Sequence, residues 1–207
     1  GDNAAGGELE LRGIKLANKI HPTVLGKKVE LVVADNKSDK AESASVAARL
    51  IEKDKVVTLI GTYGSSLAMA AGNIVKEAKV PAIGTSCTNP QVTANNDYYF
   101  RACFIDPFQG TVMANYAFKN GARKVAIVQE VSNDYSVGLA KFFKEAFIKL
   151  TNDPDCIIDV ANYQTGDKDF TAILTNLKAK NPDAVFAPGN FTESALLIKQ
   201  AHQLGIN

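Results

Sequence analysis

Histidine and cysteine are scarce in this 207-residue chain, and long apolar runs are missing altogether. The two histidines, His21 and His202, stand alone without metal-ligand spacing. Cys87, Cys103 and Cys156 are odd in number and form no CxxC pair. That argues against a zinc site or a disulfide scaffold and leaves the thiols as small hydrophobes. No run of about 18 apolar residues is present, so no helical membrane span is expected. Neither charge sign dominates: 23 basic and 22 acidic residues give a net +1. Without a bulk field, nucleic acid and anionic membrane surfaces are not expected partners. No leader pattern precedes Gly1, which reads as the start of a mature or trimmed chain.

What is present is alternation. Lys28–Ala34, Val56–Ile60, Val80–Ile83 and Tyr98–Phe104 read as strands in the first half. Helical spacing covers Leu11–Ile20, Ala44–Ile51 and Leu67–Ala78. Residues 84–97 are small and turn-forming and read as a loop. Asp106 and Pro107 suit the N-cap and first turn of a helix running to Asn120, with Gly121 as its stop. The second half repeats the scheme. Its strands are Lys124–Val128, Cys156–Tyr163 and Ala184–Ala187; its helices cover Leu139–Leu150, Phe170–Leu177 and Thr192–Leu204. Strands separated by single helices imply right-handed βαβ units and parallel sheets. The expectation is an α/β chain of two doubly wound parallel-sheet lobes, 1–104 and 105–207. Ligands of such sheets bind beyond the carboxyl ends of the strands. The loops to watch are 35–39, 61–65, 84–90, 129–135, 164–168 and 188–191.

The loop after the second strand reads Gly61-Thr-Tyr-Gly-Ser-Ser66. It holds no GxGxxG, no GxxxxGK[ST] and no GxSxG, which argues against the dinucleotide, P-loop and nucleophile-elbow readings. Ser65 is placed at the N-cap of the next helix and Ser66 at N1. Plain capping and anion binding by the same amides both remain open. Thr85-Ser86-Cys87-Thr88 faces that loop across neighbouring strands, where hydroxyls could hold a carboxylate or simply form a turn before Pro90. Tyr135 either caps a cleft or packs on its own lobe. Asn190 and Glu193 have the spacing of a capping box. Asp167 and Asp169 read as cap and first-turn acids. No nucleophile has a base within sequence reach, and no metal or cofactor set emerges.

GTYGSS, TSCTNP, YYFRACFIDPFQG, DYSVGLAKFFKEAF and GDKDFTAILTNLKAKNPDAVFAPG occur in order. With these, nearly the whole chain resembles the branched-chain amino acid binding proteins of bacterial ABC importers, of type I periplasmic binding protein fold. The resemblance implies a ligand carboxylate on Ser65 and contributions from Ser86 and Thr88. It also implies that Tyr135 closes from the second lobe. An aromatic of the family is replaced by Asn190, which implies a more polar or differently shaped ligand, with Tyr63 or Phe191 restoring an apolar wall. It further implies that this chain is a fragment, or one piece of a split protein. The first strand of lobe one and the acid that meets the ligand ammonium would then lie elsewhere. A chain without that strand is expected to be marginally stable alone. The implied function is non-enzymatic: periplasmic or extracellular capture of a small amino acid or related carboxylate, lipid anchoring allowed, and delivery to an ABC importer permease. A sensor domain of the same fold, a doubly wound enzyme acting on a small carboxylate, and a scaffold without a native ligand are the rival readings.

Overall fold

The computed structural model describes residues 1–206. The chain divides into two compact units, Gly1–Cys103 and Phe104–Asn207.

The first unit opens with helix α1, Ala4–Ile20. The sequence predicts its start only near Leu11, because the Gly6-Gly7 pair disfavours helix. Tertiary packing overrides that preference. Gly6 is buried against Tyr63, and a Cβ there would lie 2.3 Å from the Tyr63 ring. A two-residue hairpin follows, β1 (Thr23–Val24) paired antiparallel with β2 (Lys27–Lys28). Its turn residues Leu25 and Gly26 both have positive φ, at 50° and 76°, the geometry that fits hairpin twist.

The strand expected over Lys28–Ala34 is not formed beyond Lys28. The Val29 amide still donates to the Pro22 carbonyl at 2.8 Å, continuing the hairpin, but among the described residues no strand lies beside 30–34. Val32 and Val33 stay exposed as a result. Helix α2 (Lys40–Glu52) starts on Asp39, whose side chain accepts from the Glu42 amide at 2.8 Å. Then come β3 (Leu59–Ile60), α3 (Ser65–Ala78), β4 (Ala82–Gly84), a 3-10 turn (Pro90–Val92) and β5 (Tyr99–Arg101).

These three strands form a parallel sheet in the order β3-β4-β5. Register places Leu59, Ala82 and Tyr99 in one row and Ile60, Ile83 and Phe100 in the next. Successive side chains point to opposite faces. The first row packs with Ala68 and Val75 of α3, Cys87 and Val92. The second row is exposed, at 48%, 40% and 54% respectively.

The second unit is covered on both faces. Helix α4 (Asp106–Lys119) begins one residue earlier than expected: Ile105 is its N-cap, and Asp106 lies inside the first turn, fully buried. Strand β6 (Val125–Glu130) is central in a parallel sheet ordered β7-β6-β8, with β7 at Ile157–Tyr163 and β8 at Ala184–Phe186. Val125 and Ile127 pack with Phe143 and Phe147 of α5 (Asp134–Thr151). Ala126 and Val128 pack with Leu174 and Leu177 of α6 (Thr171–Lys180) and Leu197 of α7 (Phe191–Gln203). Four consecutive buried apolar residues are what a two-faced parallel strand requires. Phe143 also stacks on Phe186, with ring centroids 4.0 Å apart. Helices α4 and α5 approach closely enough that a Cβ on Gly110 would lie 2.7 Å from the Phe143 nitrogen.

Candidate functional site

In the first unit the candidate residues gather at the carboxyl ends of β3 and β4. The N-cap of α3 is Gly64 rather than Ser65. Its φ of 91° suits glycine, and it offers no side chain, so α3 starts without a side-chain cap. The first-turn amides of a helix point outward and carry partial positive charge. The expectation that Ser65 is the N-cap of α3 is therefore not met. Ser65 is the first helical residue and is buried. Its Oγ accepts from the Asn89 amide at 3.1 Å, which leaves its own proton unspent.

The loop after β4 lies against Ser65 through that bond. Arg101 shapes it: the guanidinium donates to the carbonyls of Cys87, Asn89 and Pro90 and to Thr93 Oγ1. Asn89 Oδ1 accepts from the Gln91 amide and starts the 3-10 turn. Gly84 is required here, because a Cβ would lie 2.0 Å from Cys87 Sγ. Burial pushes the Cys87 thiol up to about 12, so it stays protonated and is a packing group. Thr88 is 7% exposed, yet among the described residues its Oγ1 has no hydrogen-bond partner; Thr85 Oγ1 is likewise buried and unpartnered. Natural folds seldom tolerate such hydroxyls without a use for them.

Helix α1 closes the other side. Tyr63 packs on Gly6, and Glu10 follows on the next turn. The Ser86 hydroxyl donates to Glu10 Oε1. Sequence reasoning missed Glu10 and Arg101. Glu10 meets a residue 76 positions away, and Arg101 acts through backbone carbonyls, so neither leaves a local pattern. Ser66 is half-buried beside Ser65.

In the second unit Tyr135 is held at the start of α5. Asn133 is the N-cap, and its Oδ1 accepts from the Tyr135 amide at 3.0 Å. Gln109 Nε2 donates to the Tyr135 hydroxyl at 3.3 Å. Burial raises the Tyr135 pKa above its ordinary value, so the phenol keeps a proton to give. Asn190 is the N-cap of α7 but makes no side-chain capping bond.

The capping box expected with Asn190 is not formed. Glu193 is buried and Oε1 instead accepts from the Gly166 amide at 2.9 Å. The cap and first-turn roles expected of Asp167 and Asp169 are not filled: Phe170 is the N-cap of α6, Asp169 precedes it with Oδ1 accepting from the Thr171 amide, and Asp167 accepts from the Gln164 amide. Glu130, also buried, accepts from Thr165 Oγ1 and from Asn133 Nδ2. Ser136 accepts from the Glu130 amide and donates to the Pro188 carbonyl. The loops carrying Tyr135 and Asn190 are thereby tied to one another. Among the described residues, no three His, Cys, Asp or Glu side chains are placed to hold a metal ion.

The sequence profile of the family described as Periplasmic binding protein matches residues 1–207. The chain belongs to that family. Its fold is the type I periplasmic binding protein fold, α/β with parallel sheets. The leucine binding protein LivK of Thermotoga maritima superposes with a TM-score of 0.90 at 43% identity, covering 96% of this chain and 56% of that one. A solute binding protein of an ABC transporter from Rhodopseudomonas palustris, in complex with 3,4-dihydroxybenzoic acid, superposes at 0.88 with 29% identity, covering 100% and 56%. An amino acid binding protein of Pseudomonas aeruginosa is 31% identical over 100% of this chain and 55% of its own length. The chain spans about half the length of the curated relatives it matches. No helix among the described residues is long and apolar enough to cross a membrane.

Proposed function

We propose that this periplasmic binding protein chain carries the ligand-recognising part of an extracytoplasmic solute receptor, which captures a small carboxylate and hands it to the permease of an ABC importer. The uncapped start of α3, with Gly64 where a capping side chain would stand, carries the reading. A ligand carboxylate is held there by the α3 amides, the unspent Ser65 proton and Thr88, all neutral donors that can also release it. Ser66, Ser86 and Tyr63 border that position. The second unit contributes the Tyr135 phenol and the uncommitted Asn190 amide. Closure of the units about a hinge near 104–107 buries the ligand, and only contacts made in the closed form can favour it. The permease reads that closed form.

Amino acids and aromatic carboxylates are both bound by similar proteins, as a leucine binding protein and a dihydroxybenzoate complex illustrate. An enzymatic role has no support in the site: the hydroxyls face no histidine, and Cys87 is protonated. Titration calorimetry of the intact protein, freed of bound ligand, against L-leucine, small polar amino acids and 3,4-dihydroxybenzoate tests the reading. A saturable heat with any of them is expected. Silence across the panel, or turnover of a bound compound, overturns it.

A further inference from the structure

We propose that Glu130 is a positioning residue for Tyr135: it fixes which way the Asn133 side-chain amide faces, and through that amide presets the phenol before a ligand arrives. The inference rests on the proposed receptor function, in which Tyr135 meets the ligand, and adds a residue to that machinery.

Glu130 ends β6 and is buried. A carboxylate in such a place is costly unless donors surround it. Among the described residues no cation pairs with it. Its two oxygens are shared between two loops instead: Oε1 accepts from Thr165 Oγ1, and Oε2 accepts from Asn133 Nδ2 at 3.0 Å. Thr165 gives its only hydroxyl proton to Glu130, so the 2.8 Å contact between Ser132 Oγ and Thr165 Oγ1 takes its proton from Ser132. A side-chain amide has a donor end and an acceptor end. With the donor end of Asn133 drawn to Glu130, Oδ1 is turned to the start of α5, where it accepts from the Tyr135 amide at 3.0 Å. Ser136, the next residue and fully buried, accepts from the Glu130 amide at 2.8 Å and donates to the Pro188 carbonyl. Bonds at Tyr135 and at Ser136 thus both lead back to Glu130, while Gln109 holds the hydroxyl end of the ring. A side chain ordered in advance costs less to immobilise when a ligand binds. Helix capping alone does not call for this relay: serine caps as well as asparagine does, but has no Nδ2 to offer Glu130.

Titration calorimetry on the intact protein, with L-leucine and with 3,4-dihydroxybenzoate, tests the assignment. Asn133→Ser keeps a capping hydroxyl and cuts the tie to Glu130. Its melting temperature should stay near that of wild type, while affinity for the compound that wild type binds falls by about three- to tenfold, the worth of ordering one side chain. Glu130→Ala should lower affinity at least as far. Glu130→Gln, whose one oxygen can still serve Asn133, should recover part of the loss. In a Tyr135→Ala background Asn133→Ser should cost nothing further, because an absent ring needs no placing. Should Glu130→Ala fail to fold, Asn133→Ser in the two backgrounds decides. If a compound binds and Asn133→Ser keeps wild-type affinity, or loses the same factor with and without the Tyr135 ring, the assignment is overturned while the receptor function stands. If neither compound nor any small polar amino acid binds wild type, both readings fall.

Discussion

Thr88 holds a hydroxyl that has no partner among the described residues, at 7% exposure. Burying such a group unsatisfied costs about 1–3 kcal/mol. Thr88→Val, similar in shape but without the hydroxyl, should therefore raise the melting temperature of the ligand-free protein while weakening ligand binding. Opposite movement of the two readouts, by calorimetric melting and titration, is the expected signature. If the variant binds as wild type does, Thr88 has no role at the site. Ser65→Ala should behave differently. It removes the donor to the ligand and also the Oγ that accepts from the buried Asn89 amide, so stability and affinity should both fall, the latter by about 1.5–3 kcal/mol for a bond to a charged group. Of the residues at these loops, Ser65, Ser86 and Thr88 could be singled out from sequence because they cluster at strand ends. Which of them gives a proton and which receives one could not, since that depends on Glu10 and Asn89 in space.

An element buried on both faces was readable from its unbroken apolar run. The run Val125–Val128 announced β6 because nothing polar interrupts a strand sandwiched between helix layers. The run 30–34 carries a similar apolar signal and forms no ladder, because pairing needs a neighbour as well as a propensity. Helix α1 erred the other way: its glycines hid a turn that Tyr63 demands. At the α4–α5 crossing, Gly110→Ala would push a methyl into the Phe143 backbone, which cannot swing aside as a side chain can. A loss of about 1–3 kcal/mol is expected from denaturant unfolding. In the β1–β2 hairpin, Leu25 is exposed with positive φ. Leu25→Asn should stabilise by up to about 1 kcal/mol in the same assay, since asparagine tolerates that region better.

For the molecule as a whole, alkaline pH should be the destabilising direction. The Cys87 thiol is raised from 9.0 to about 12, chiefly by desolvation, and burial also raises Tyr99 and Tyr163. Each group holds its proton more tightly folded than unfolded, so its contribution is complete below pH 9 and drains as pH climbs toward 12. Urea midpoints measured from pH 8 to 11 should decline, and Cys87→Ala should make the decline shallower. A flat profile would contradict the burial of these groups. The two-unit α/β plan was legible from the alternation of periods and from the ordered motifs, while the uneven covering of the two sheets was not. Pattern says which side chains are apolar, not which of them will find a roof.

The row Ile60, Ile83 and Phe100, turned outward in the first unit, makes that unevenness tangible. Three large greasy side chains abreast form a ready landing strip for dyes, detergents and other unfolded chains. Preparations of this 207-residue polypeptide should brighten anilinonaphthalene sulfonate and cloud as concentration rises, and a lysine at position 83 or 100 should quench the glow and clear the solution.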